Sequence, residues 1–253
     1  MSANPPLDKR RSNMTNAGKS FIIVQLMKAE LVIARYNENI SWLDNIIGKI
    51  LIHVYNKGES LDTAGYSSII ALPNVGRESN TWLNHIITRY ATLPDITVFL
   101  QGRIDDLDNN VYTNIEDYFP CAIQYGFSAS AYGIFNPLQW QDINFEADPK
   151  YAEAWNNGSL ARSNLSLIDY SSKFLGPLPL LTVTSMCGCF AVSRKAVHMR
   201  PINFYKELLT TVSHHPNPVE GHYLERMWCY MVSSNSLLPI AMGLPEQLLG
   251  KFS

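Results

Sequence analysis

Three short polar runs concentrate cations, carboxylates, amides and glycine: Arg35-Tyr36-Asn37-Glu38, Asn74-Val75-Gly76-Arg77-Glu78-Ser79-Asn80 and Gln101-Gly102-Arg103-Ile104-Asp105-Asp106. In the first, the amide and carboxylate of Asn37 and Glu38 can hydrogen-bond a base or ribose edge, or merely turn the chain and cap the next helix. In the second, Gly76 lets backbone approach a ligand, a following helix N-terminus favours anions, and the Arg77 guanidinium can bridge two phosphate oxygens or hold a carboxylate. A surface turn with an Arg77–Glu78 ion pair is the plainer alternative. The spacing matches neither GxGxxG nor GxxxxGK[ST]. In the third, Asp105 and Asp106 offer oxygen ligands suited to Mg²⁺ or Mn²⁺, which would neutralise a diphosphate leaving group. Adjacent carboxylates rarely point the same way on a strand, so capping a turn is equally open to them.

Each run ends an apolar segment. The segments are 31–38 (LVIARYNE), 49–56 (KILIHVYN), 68–78 (SIIALPNVGRE) and 96–106 (ITVFLQGRIDD). Buried strands alternating with helix-like stretches imply a parallel sheet packed on both faces, with ligands beyond the carboxyl ends of its strands. Those ends carry the three polar runs together with Asn56. A helix is expected over 41–50, with Ser41 as N-cap, and another over 79–90 with Trp82, Leu83, Ile86 and Ile87 on one face. Residues 107–180 are irregular apart from 151–156, and long irregular stretches inside compact domains are more often functional than idle. Residues 180–193 read as buried strand interrupted by Gly188, and 204–212 and 219–232 as helices. Residues 1–28 are expected to be a flexible leader and 29–253 one domain.

Composition narrows the function classes. With 253 residues, 46% apolar and 17% charged, the chain is globular. A net charge of -2 and a pI near 6.3 argue against a broad basic surface for nucleic acid. The early apolar run 21–27 is too short to span a bilayer, and no signal-peptide core precedes it, so the expectation is a soluble, cytoplasmic protein. Cys121, Cys187, Cys189 and Cys229 form neither a disulfide framework nor a common zinc knuckle, and are expected as buried free thiols.

RYNENISWL, PNVGRESNTWLNHI, FLQG, GCFAVSRKAV with RPINFYKEL, and GHYLERMW occur in that order across about residues 29–235. Together they resemble nucleotide-sugar glycosyltransferases of the GT-A fold, and more narrowly a family of fungi, bacteria and large algal viruses that includes a chlorella-virus capsid glycosyltransferase. The resemblance implies a single α/β, GT-A-like (Rossmann-like) domain with a mostly parallel central sheet and helices on both faces. It implies a nucleotide-binding half (29–106) and an acceptor-binding half (107–253). It also implies a nucleotide-sugar donor, a glycan or glycoprotein acceptor, and Mn²⁺ or Mg²⁺. Carried onto this sequence, donor binding falls to Arg35, Tyr36, Asn37, Glu38, Asn74, Gly76, Arg77, Asn80, Gln101 and Arg103, and the metal to Asp105 and Asp106. Gly188, Arg194, His222 and Arg226 fall on the acceptor and sugar side. Helical spacing brings His222, Glu225 and Arg226 near one another, and Glu220 or Glu225 would act as general base. Gln101-Gly102-Arg103 stands where many such enzymes carry Asp-x-Asp, so either the metal moves to Asp105 or Asp106 or a cation such as Arg103 replaces it. A nucleotidyltransferase and a non-catalytic binder of nucleotide or glycan are the alternatives. The former would show a Gly/Lys/Arg-rich phosphate loop near the first strand, which RYNEN is not.

Overall fold

A computed structural model of the chain describes residues 27–62, 65–104, 114–129, 132–135, 149–176, 182–185 and 188–232. Strand β1 (Ala29–Arg35) is central and pairs in parallel with both β2 (Leu51–Asn56) and β4 (Ile96–Gln101). Strand β3 (Ser68–Ala71) adds to β2 in parallel. Two further strands, β5 (Phe127–Ala129) and β8 (Phe190–Ser193), complete a mixed six-stranded sheet of order β3-β2-β1-β4-β8-β5, in which β8 runs antiparallel to β4. Strands β6 (Tyr132–Phe135) and β7 (Thr182–Ser185) pair as a separate ribbon. The apolar stretch 180–193 is thus two strands in two sheets, with Gly188 lying between them.

Both faces of the sheet are covered, which is why its strands read as apolar runs rather than alternating ones. On one face, Val32, Tyr55, Phe99 and Phe190 meet Trp82, Leu83 and Ile86 of α1 (Arg77–Arg89). The same face packs Trp228, 5.1 Å from Phe190 between ring centroids. On the other, Leu31, Ile33, Ile52, Val54, Val98 and Leu100 meet Leu43, Tyr118 and Ala122. The remaining α-helices among the described residues are α2 (Phe119–Tyr125), α3 (Pro149–Asn156), α4 (Leu167–Leu175), α5 (Arg194–Val197), α6 (Ile202–Thr211) and α7 (Val219–Val232).

The helix expected over 41–50 is instead a 3-10 turn, Ser41–Asn45, with Ile40 at its N-cap. Gly48 is the reason: at φ 81° it leaves the helical region, and a bridge pairs Ile47 with Ile50. Cys189 and Cys229 are buried free thiols and Cys121 is half-buried, while Cys187 lies outside the described residues. Burial pushes the Cys229 thiol up to about 12. Among the described residues no helix is long and apolar enough to cross a membrane.

Candidate functional site

The chain leaves β1 for β2 and β3 on one side and returns to β4 on the other, so the sheet's switch point lies between β1 and β4. An open cleft of about 500 Å³ sits beyond the carboxyl ends of these two strands, lined by Tyr36, Asn37, Glu38, Asn39 and Arg103. Tyr36 is 49% exposed, an aromatic face held at the edge of a polar cleft. Glu38 is fixed by its own loop, accepting the Tyr36 N–H at 2.6 Å. Gly102 makes room for it: a Cβ there would lie 2.9 Å from Glu38 Oε2 and 3.2 Å from the Ala34 carbonyl. Arg103 lines the same cleft as Glu38.

Arg35 does not reach this cleft. It is 9% exposed, and its guanidinium donates to Asn56 Oδ1 at 2.7 Å, the Glu38 carbonyl at 3.0 Å and the Glu59 carbonyl at 3.1 Å. The expected donor ligand is a clamp that ties the loops after β1 and β2 together. Asn37 joins it by accepting the Glu59 N–H at 2.8 Å.

The turn between β3 and α1 departs from expectation in a second way. Gly76 and Arg77 both have left-handed backbones, at φ 65° and 50°. Their N–H groups donate to the carbonyls of His215 (2.8 Å) and Pro216 (3.1 Å), not outward towards a ligand. A Cβ on Gly76 would lie 2.2 Å from the Val212 carbonyl. The close approach that glycine permits is to the protein's own loop after α6, not to a phosphate. Asn80 is buried, donating to Ser213 Oγ at 3.2 Å and accepting from Asn84, so it too serves packing. Lys57, just past β2, braces the turn with Nζ 2.6 Å from the Val75 carbonyl and 2.5 Å from that of Arg77. Burial pushes Lys57 down to about 8, with the Glu78 charge opposing the fall.

What this turn delivers is the Arg77 side chain. Its Nε lies 3.5 Å from Glu78 Oε2, and its Nη1 meets His222 of α7 at 3.0 Å from Nε2 and 3.2 Å from Nδ1. His222 Nε2 also lies 3.1 Å from Asn217 Oδ1. The pattern assigns the proton to Nε2, donating to Asn217, and leaves Nδ1 to accept from Arg77. Burial, then the charges of Arg77 and Arg226, hold His222 down at about 3, so it is a neutral hydrogen-bonding group near pH 7. Tyr151 of α3 sits edge-on to His222, with centroids 5.7 Å apart.

Glu225 and Arg226 complete the cluster. Arg226 Nη1 is 3.8 Å from Glu225 Oε2 and donates to the His222 carbonyl at 2.9 Å. The Glu78 charge, against burial, and then that of Glu225 hold the Arg77 guanidinium above its usual range. Glu225 therefore shares the Arg77 environment. Glu220 faces elsewhere: its charge acts on Tyr170 of α4, not on this group. The two carboxylates expected as candidate bases are separated, and only Glu225 is in the cluster.

Because β8 is antiparallel, its start lies at the same sheet edge as the ends of β1 to β4. Gly188 is there, with Trp82 Nε1 donating to its carbonyl at 3.1 Å and the Glu78 side chain packed over it. Arg194 is at the opposite edge. It follows the far end of β8, with Nη2 2.5 Å from Asp95 Oδ1, and is not brought to the edge that carries the Arg77 cluster. Gln101 ends β4 beside Ala34, and Asn74 is exposed ahead of the Arg77 turn. Asp105 and Asp106 lie outside the described residues, among which no group of three His, Cys, Asp or Glu side chains is arranged to hold a metal. Sequence reasoning did not single out Lys57, Tyr151 or Asn217. Only Lys57 carried a signal, its place directly after a strand end.

A family described as "Protein of unknown function (DUF3431)" matches residues 31–120. No curated protein matches the chain. Among solved structures it is similar to glucosyl-3-phosphoglycerate synthase from Mycobacterium tuberculosis. Against the complex of that protein with Mn²⁺, UDP-glucose and phosphoglyceric acid, identity is 12% and TM-score 0.34, covering 74% of this chain and 64% of that one. Against the complex with Mn²⁺, UDP and phosphoglyceric acid, identity is 13% and TM-score 0.39, covering 95% and 82%. Likeness at that distance says nothing of activity.

Proposed function

We propose that this chain transfers a sugar from a nucleoside-diphosphate donor to a hydroxyl acceptor. The observation that carries the reading is one sheet edge that joins a switch-point cleft (Tyr36, Asn37, Glu38, Arg103) to a buried cluster of Arg77, His222, Glu225 and Arg226. The motif order that resembles GT-A enzymes supports it from the sequence side. In this reading Tyr36 stacks on the base, Asn37 and Glu38 meet base or ribose, and Arg103 and Arg77 face the diphosphate. Residues 29–106 form the nucleotide half, and 107–253 the acceptor half, which receives a glycan or glycoprotein hydroxyl.

The carboxylate of Glu225 removes the acceptor hydroxyl proton as that oxygen attacks the anomeric carbon. The bond from that carbon to the diphosphate breaks, and its electron pair leaves with the nucleoside diphosphate. Arg226, paired with Glu225, and Arg77 stabilise charge on the departing phosphate. A single displacement inverts the anomeric centre. Mn²⁺ or Mg²⁺, if held by Asp105 or Asp106, would supply further charge neutralisation at the diphosphate. In its absence that work falls to Arg103.

The test is donor turnover, as hydrolysis or transfer, in paired variants. Glu225→Gln is expected to lower kcat at least a hundredfold with donor affinity nearly unchanged, which marks a group used in the transition state. Glu220→Gln is expected to retain turnover. Normal turnover by Glu225→Gln refutes its role. Excess chelator decides between metal and Arg103, because full activity in chelator assigns the diphosphate to arginine.

A further inference from the structure

A second cavity, of about 520 Å³, opens beside the edge strand β3, between β2, β3 and the carboxyl end of α1. It shares no lining residue with the switch-point cleft. Behind it lies a buried charge network centred on Glu30, which is 0% exposed. Glu30 Oε1 accepts from His85 Nε2 at 2.8 Å and Thr97 Oγ1 at 3.1 Å. Its Oε2 lies 3.2 Å from His53 Nε2 and 3.4 Å from Arg89 Nε. Burial works to raise this carboxyl, but bonds from His53 and His85 and the charges of His85 and Arg89 outweigh it and hold Glu30 at about 2.

Glu30 is therefore ionised, and it engages Arg89 through the inner Nε alone. The two terminal nitrogens of Arg89 have no protein partner among the described residues, and the side chain is 34% exposed where it lines the cavity. Nearby, Ser67 Oγ accepts the Ile52 N–H at 3.0 Å and keeps its own proton to donate. Ile70 and Leu72 give the cavity an apolar wall. A guanidinium edge and a hydroxyl donor lining one cavity suit the oxygens of an anion, and the apolar wall suits a short hydrocarbon body. The compensating negative charge sits behind the guanidinium, with His53 and His85 on its oxygens. The outer edge thus remains favourable to an incoming anion.

We propose that this cavity is a binding site for a small oxyanion ligand, its head on the Arg89 terminal nitrogens and Ser67 and its apolar body on Ile70 and Leu72. The site stands independently of the transferase reading, although α1 links the two places, with Arg77 at one end and Arg89 at the other.

The experiment is an amide NMR titration of the full chain with butyrate, with butanol as uncharged control and inorganic phosphate as a second arm. Butyrate is expected to saturate with a Kd of about 1 mM or tighter, moving amides of 67–72 and 84–89, while butanol moves none of them saturably. Ser67→Glu places a carboxylate in the head site from an exposed position, so the fold is retained and its spectrum checks that. It is expected to weaken binding at least tenfold. Phosphate saturating these amides in place of butyrate keeps the oxyanion site and identifies the free inorganic ion as its source. Absence of saturable local shifts from both anions overturns the proposal. So does binding that Ser67→Glu leaves unchanged.

Discussion

Arg77 occupies a backbone conformation that costs a non-glycine residue of order 1 kcal/mol or more, at φ 50°. Lys57 and the loop carbonyls of His215 and Pro216 hold it there, and the result is a guanidinium set against His222 with Glu225 nearby. If that side chain meets the diphosphate, Arg77→Ala should weaken nucleoside-diphosphate binding at least tenfold, about 1.4 kcal/mol, measured by calorimetry. Arg77→Gly also relieves the backbone and should lose affinity equally while being more stable than Arg77→Ala, so the pair separates the ligand role from strain. Arg194→Ala should leave both binding and turnover unchanged, since its partner is Asp95 at the far edge of the sheet. A loss of activity there would mean that the acceptor reaches round the molecule. At this scale helical spacing placed His222, Glu225 and Arg226 near one another, and the structure sets Arg77 beside them. The sequence could not tell the surroundings of Arg35 from those of Arg77, because both follow strand ends. The difference lies in carbonyls that surround one and not the other.

Helix α1 shows how an element can be legible while its purpose is not. Its apolar spacing placed Trp82, Leu83 and Ile86 on the sheet, where they are. Its N-terminus, however, commits the Gly76 and Arg77 N–H groups to the loop after α6, an association between residues far apart in sequence that no local pattern carries. The corresponding prediction is steric. Gly76→Ala combines a left-handed backbone with a Cβ 2.2 Å from the Val212 carbonyl and should destabilise by at least about 2 kcal/mol in urea unfolding. Unchanged stability would mean that the turn is free to move and does not fix Arg77. The first crossover was misread for a more local reason, since Gly48 at φ 81° ends a helix that apolar spacing alone supports. By contrast, 219–232 was read as a helix with the bounds it has, because fourteen residues of packed helix leave a long periodic trace.

Across the whole molecule, two buried sites link stability to pH. His222, held at about 3 against an ordinary 6.5, is neutral in the fold. The unfolded chain takes up a proton that the native one refuses as pH falls from about 6.5 to 3, and stability is lost across that window. His85, also held down, adds to the loss. Glu30, at about 2 against 4.5, contributes stability that is present above 4.5 and is lost between about 4.5 and 2. Each group gives a slope of at most about 1.4 kcal/mol per pH unit. His222→Gln should flatten the profile between pH 6.5 and 4.5, lessen its slope from 4.5 to about 3, and leave the Glu30 loss below that. A profile parallel to that of the unsubstituted chain would remove His222 as the titrating group. The central claim is narrower: a nucleoside diphosphate sits at the switch-point edge between Tyr36 and Arg77. Its most direct test is calorimetric titration with UDP, GDP, CDP and ADP, with and without Mn²⁺, on the unsubstituted chain, Tyr36→Ala, Arg77→Ala and Glu225→Gln. The account predicts one-to-one binding of at least one of them, weakened tenfold or more by Tyr36→Ala and by Arg77→Ala and unchanged by Glu225→Gln. Binding of none, or binding indifferent to both Tyr36 and Arg77, would contradict it.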